Sequence, residues 1–185
     1  VARTSDRSVV VVVRKTSSLA RWVSLDTGIL ARCSGETGRR GFNIESLCVC
    51  ATEDEALSRM TIVLNGDDAI LAQMTKQLDK LIDVKKIAVA DEGNTIYREL
   101  LLVKVSAPAD KRSEIIEIKD VYKAKIVDLS PETLVLEITG EPNKLDGFVQ
   151  VIEPYGILEM ARTGVTALSR GASCLNDLVD YNESI

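Results

Sequence analysis

Two hydrophobic periods alternate along the chain. Ser8 to Val13, SVVVVV, is a continuous β-branched run and predicts a buried strand. Asp26 to Gly38 predicts a helix: Asp26 and Thr27 offer cap oxygens, and Ile29, Leu30 and Cys33 begin an apolar face. Gly38 or Gly41 can end it through a left-handed turn. Phe42 to Cys50 predicts a strand. In Leu57 to Leu64, Met60, Ile62 and Leu64 share one face, opposite Arg59, Thr61 and Val63. Asp67 to Ile82 carries Ile70, Leu71, Met74, Leu78, Leu81 and Ile82 on a single helical stripe. Val84 to Ala90 closes the half as a strand. The order is β-α-β-β-α-β.

The second half repeats it. Glu99 to Ser106 predicts a strand, and Asp110 to Ala124 a helix with Ile115, Ile118, Val121 and Tyr122 inward. Lys125 to Leu129 and Thr133 to Thr139 predict strands joined by Ser130-Pro131-Glu132. Pro142 suits the first turn of a helix carrying Leu145, Phe148, Val149 and Ile152, ended by Pro154-Tyr155-Gly156. Ile157 to Thr163 is the last predicted strand. The expected fold class is α+β: two tandem ferredoxin-like βαββαβ domains, each a four-stranded antiparallel sheet with two helices on one face. The boundaries read as 1–92 and 93–171, with a polar tail at 172–185 and a hinge at Asp91-Glu92-Gly93-Asn94. Open sheet faces and edges need cover, and dimerisation supplies it.

Composition narrows the function. The 185 residues can bury roughly 70% of their unfolded surface without disulfide staples. A net charge of -5 and 4% aromatics disfavour a nucleic-acid surface, which needs clustered cations and stacking platforms. No histidine is present, which removes the commonest general base and metal ligand. Cys33, Cys48, Cys50 and Cys174 have no paired metal spacing and read as buried thiols of a reducing compartment. No run approaches the ~20 apolar residues of a membrane span. The start, VARTSDRS, lacks an initiator Met and a signal-peptide core, and reads as trimmed or processed.

The stretch GRRGFNIESLCVC, residues 38–50, carries the candidate chemistry. It contains neither phosphate-loop glycine spacing, and Arg39 and Arg40 sit where cations complement a helix C-terminus. Arg32 and Asn43 imitate the arginine–asparagine pair of an acylphosphatase, but without the Gly-rich loop around the arginine. A small-molecule pocket fits better. The amides of Gly28, Ile29 and Leu30 leave a helix N-terminus, which suits a carboxylate, and glycine permits close approach. Asn43 offers donor and acceptor, while Ile29, Leu30 and Ile44 offer an aliphatic wall. A branched-chain α-amino acid matches that set. The same residues read equally well as a plain helix start and strand cap.

Motifs throughout the chain resemble the small regulatory subunit family of acetolactate synthase (acetohydroxyacid synthase). They are GILAR at 28–32, GRRGFNIESL at 38–47, LSRMTIV at 57–63, KQLDKLIDV at 76–84, RELLLVKV at 98–105, AKIVDLSPETLVLEITG at 124–140 and PYGILEMARTGVTALSRG at 154–171. The resemblance implies an N-terminal ACT domain and a second domain of related topology. It implies a non-catalytic regulatory subunit of branched-chain amino acid biosynthesis, with no cofactor of its own. The partner is then a catalytic large subunit using thiamine diphosphate, FAD and Mg²⁺, which this subunit activates and subjects to feedback inhibition by valine or a related amino acid. The effector would lie between two ACT domains of a homodimer, held by Asp26, Gly28, Ile29, Leu30, Asn43 and Ile44. Residues 14–24 form an unusual insert, and Leu25 stands where the family carries an asparagine that contacts the effector. Loop-closure entropy tolerates the insert at under ~1 kcal/mol. Expected localisation is cytoplasmic for a bacterium, or the plastid stroma for a photosynthetic eukaryote. The alternative reading is a stand-alone ACT-type sensor acting on another partner.

Overall fold

The computed structural model describes residues 6–14, 43–54, 57–65, 67–81, 84–90, 93–172 and 174. The chain divides into two compact units, Val1–Ile96 with Ala167–Ile185, and Tyr97–Thr166. The helix expected over 26–38 lies outside the described residues.

In the first unit, strands β1 (Asp6–Arg14), β2 (Asn43–Ala51), β3 (Leu57–Asn65) and β4 (Val84–Val89) form an antiparallel sheet in the order β2-β3-β1-β4. Between β3 and β4 lies helix α1 (Asp68–Leu78). Asp67 starts it: Oδ1 accepts from the Ile70 amide at 2.9 Å and satisfies one donor the helix leaves orphaned. The apolar stripe of α1, Leu71, Met74 and Leu78, packs on Met60, Ile62 and Leu64 of β3 and Ile87 of β4. Thr75 is buried in that helix because its hydroxyl bonds back to the carbonyls of Leu71 and Ala72, each at 3.0 Å. The chain stops being helical at Leu78, earlier than the stripe to Ile82 predicts. Thr61 and Val63, on the face of β3 opposite Met60, Ile62 and Leu64, are also buried, so this central strand is enclosed on both faces.

The second unit repeats the topology. Strands β5 (Thr95–Ser106), β6 (Lys125–Leu129), β7 (Thr133–Gly140) and β8 (Ile157–Arg162) run β6-β7-β5-β8; β9 (Thr166–Ser169), which from Ala167 onward belongs to the first unit, pairs with β5. Helices α2 (Arg112–Tyr122) and α3 (Pro142–Ile152) are the crossovers, and Pro142 occupies the first turn as expected. Leu101, Val103 and Val105 stand opposite Ile138, Leu136 and Leu134, and all six are completely buried or nearly so. Ile115, Leu145, Phe148 and Ile152 cover them from the helix layer. Each such side chain contributes roughly 1.5–3 kcal/mol when buried. Tyr122 meets Phe148 edge to face, with ring centroids 5.2 Å apart.

Val121 corrects the sequence reading: it is 79% exposed. Ile115, Ile118 and Tyr122 share a stripe, whereas Val121 lies about 120° around the helix from Ile115. Strand β5 starts earlier than Glu99, and β9 was not expected at all.

One ion-pair network ties β5, α3 and β8 together. Arg162 grips the buried Glu99 with two bonds, Nε to Oε1 at 2.9 Å and Nη2 to Oε2 at 2.7 Å. Its Nη1 reaches Asp146 at 2.7 Å. Fork-on-carboxylate geometry makes this the strongest kind of side-chain pair. Arg162→Met should destabilise the protein by about 2–3 kcal/mol, because it strands the Glu99 charge. Adding Glu99→Gln should recover part of that loss. Urea unfolding of the two single variants and the double variant, followed by circular dichroism, measures the coupling.

Candidate effector-binding site

Of the residues expected to hold an effector, Asp26, Gly28, Ile29 and Leu30 lie outside the described residues, as do Leu25 and the 15–24 part of the insert. Asn43 and Ile44 are within them and open β2. The backbone of Asn43 stands opposite Asn65 of β3, and Asn65 in turn stands opposite Asp6 of β1. Three polar residues therefore align across one end of the sheet. Ile44 pairs with Leu64 and packs, half-buried, against the core of the first unit.

Immediately after Ile44 the β2–β3 register slips, and Glu45 is the extra residue. Such a bulge bends a strand and re-aims the residues at its end. No sequence signal gave the Asp6–Asn65–Asn43 alignment. It depends on register, which only the assembled sheet defines.

Farther along β2, Cys48 stands opposite Thr61 and Cys50 opposite Arg59, so both cysteines share one face as their spacing predicts. Both are half-buried, whereas Cys174 is exposed, against the expectation of burial. Cys174 lies beyond β9 and belongs to neither hydrophobic cluster of the described residues. Arg59 donates from Nη1 to the Ala167 carbonyl at 3.3 Å, and its buried Nε finds no partner among the described residues. Burial, then the neighbouring Cys48, pushes the Cys50 thiol above its ordinary value, while Arg59 pulls it down. Among the described residues no cluster of three or more His, Cys, Asp or Glu side chains is placed to hold a metal ion. Just after β2 the Thr52 hydroxyl accepts from the Asp54 amide at 3.2 Å.

Family comparison decides what this frame belongs to. The model described as the small subunit of acetolactate synthase matches residues 98–171, and the AHAS small subunit-like ACT domain matches residues 22–86. An acetolactate synthase small subunit of Mycolicibacterium smegmatis is 51% identical over 156 residues, covering 84% of this chain and 92% of that protein. The chain belongs to the acetolactate synthase small-subunit family. A probable small subunit of Methanothermobacter thermautotrophicus is 46% identical over 158 residues, 85% of this chain and 94% of its own length. The crystal structure of the Thermotoga maritima small subunit superposes with a TM-score of 0.75 at 33% identity, covering 91% of this chain and 99% of that one. The ACT match begins at residue 22, after β1 and inside the insert set apart by the sequence. Among the described residues no helix is long and apolar enough to cross a membrane.

Because Cys50 is held as a thiol, iodoacetamide at neutral pH should modify the exposed Cys174 before Cys50. Labelling of Cys50 should rise only in alkaline solution. Arg59→Gln removes the one group that favours the thiolate, so it should move that rise to still higher pH. Peptide mass spectrometry across a pH series reads both shifts.

Proposed function

We propose that this chain is the regulatory subunit of an acetolactate synthase. It binds the catalytic large subunit, raises its activity and makes it sensitive to a branched-chain amino acid. The observation that carries the reading is the family match over both halves, 22–86 and 98–171, in one chain. A stand-alone sensor has no need of the second matched half, so the subunit reading is the better one.

The catalytic chemistry, with thiamine diphosphate, FAD and Mg²⁺, is assigned to the large subunit. In this chain the amides of Gly28, Ile29 and Leu30, beside Asp26, would receive the effector carboxylate at a helix N-terminus. Asn43 would add a directional polar contact, and Ile44 with Ile29 and Leu30 an aliphatic wall. Two first units in a homodimer would share the effector, so its binding favours one arrangement of the pair. Feedback inhibition then equals the difference in effector affinity between the active and inhibited arrangements, typically about 1–3 kcal/mol.

Reconstitution with the large subunit tests this. Adding the chain should raise acetolactate formation, and valine should reduce it again. Gly28→Asp places bulk and negative charge where the carboxylate would sit, and should abolish valine inhibition while stimulation persists. Asn43→Ala should raise the half-inhibiting concentration about 2- to 12-fold, the equivalent of one hydrogen bond of about 0.5–1.5 kcal/mol. Unchanged valine sensitivity in both variants would refute the site. Absence of both complex formation and stimulation would refute the function.

A further inference from the structure

Strand β2 carries a pair of thiols that effector binding does not use. From Ser46 to Ala51 it pairs with β3 without interruption. Leu47 and Val49 turn to the core of the first unit, so the alternate residues Cys48 and Cys50 lie together on the opposite face. Both are half-buried, and they are close enough for Cys48 to act electrostatically on Cys50. Cys48 stands opposite the buried Thr61, and Cys50 opposite Arg59.

Geometry decides what such a pair can hold. Two residues along a strand advance about 6.4–6.8 Å, and their side chains rise side by side. A disulfide needs the two Cβ atoms about 3.8 Å apart, so forming one would break the regular ladder. A cation between the sulfurs asks for much less. With metal–sulfur bonds of about 2.3 Å the sulfurs stand about 4.6 Å apart, and parallel side chains reach that by leaning toward each other.

The ligand count selects the ion. Zinc takes four ligands, and calcium and magnesium take oxygen sets. The chain has no histidine, and among the described residues no third Cys, Asp or Glu joins the pair. Two thiolates alone suit Cu(I), which prefers soft sulfur and accepts a linear pair of ligands. A Cu(I) ion between two thiolates carries one net negative charge, which is costly to bury without a counter-charge. Arg59 supplies that charge from the facing strand, and its buried Nε has no partner among the described residues. We infer that Cys48 and Cys50, with Arg59 beside them, form a Cu(I) site on the face of β2 turned away from the core. Binding replaces protons and moves no electron: Cu⁺ and two S–H groups give one S–Cu–S bridge of charge −1, and two protons leave to solvent.

Titration of the full, reduced chain with the Cu(I)–bicinchoninate complex, under nitrogen with ascorbate, tests the site. The parent should take one Cu(I) per chain from the dye, and X-ray absorption of the product should show two sulfur neighbours. Cys48→Ser and Cys50→Ser each remove a ligand and should weaken binding more than about 100-fold, beyond what loss of an outer partner costs. Arg59→Met keeps both ligands and should weaken binding about 10-fold. The variant Cys33→Ser/Cys174→Ser keeps the pair and should bind like the parent, with the same two-sulfur spectrum. Circular dichroism checks that each variant stays folded. A parent that leaves the dye loaded would overturn the site. So would serine variants at 48 or 50 that bind like the parent, or loss of binding in the Cys33→Ser/Cys174→Ser variant. Unchanged affinity in Arg59→Met would overturn the charge pairing. The readout needs neither valine nor the large subunit, so it reports separately from the proposed function.

Discussion

The closure of one face of each sheet by helices is the constraint on which the rest depends. In the second unit, Leu101, Val103 and Val105 meet Ile138, Leu136 and Leu134 across two central strands, beneath Phe148 and Leu145. Strand side chains alternate faces, so a slip of one residue would turn this whole set toward water. The ladder therefore fixes the register, and the register decides which polar residues line up. In the first unit, Met60, Ile62 and Leu64 under α1 play the same part. They carry Asn65 into line with Asn43 and Asp6.

What the core does not use is where function can reside. A βαββαβ unit needs its sheet interior and its helix stripes, but not its strand ends or edges. Asn43 lies at a strand end, set off by the bulge at Glu45. Cys48 and Cys50 lie on an edge strand, on its face away from the core. The buried Glu99 carboxylate is matched by two bonds from Arg162. That pair fastens β8 to β5 within the second unit.

Much of this was legible in the sequence. The β-branched run at 8–13, the stripe from Leu71 to Leu78 and the alternation of 134, 136 and 138 gave both copies of the topology. The motifs at 28–47 and 124–140 gave the family. Other features were hidden for physical reasons. Val121 looked inward because apolar character alone does not fix its angle around the helix. Thr61 is buried because a central strand is enclosed on both faces, a tertiary fact that a local polar–apolar pattern cannot carry. β9 is short, and its one buried apolar side chain, Ala167, gives no period. The alignment of Asn65 with Asn43 depends on pairing between segments far apart in the chain.

The account's central claim is that an amino acid bound near the start of β2 controls a partner enzyme. Hydrogen–deuterium exchange on the complex with the catalytic subunit, with and without valine, tests it most directly. The account predicts that valine inhibits the complex and slows exchange at amides 26–47. Inhibition by valine with unchanged exchange across 26–47 would contradict it.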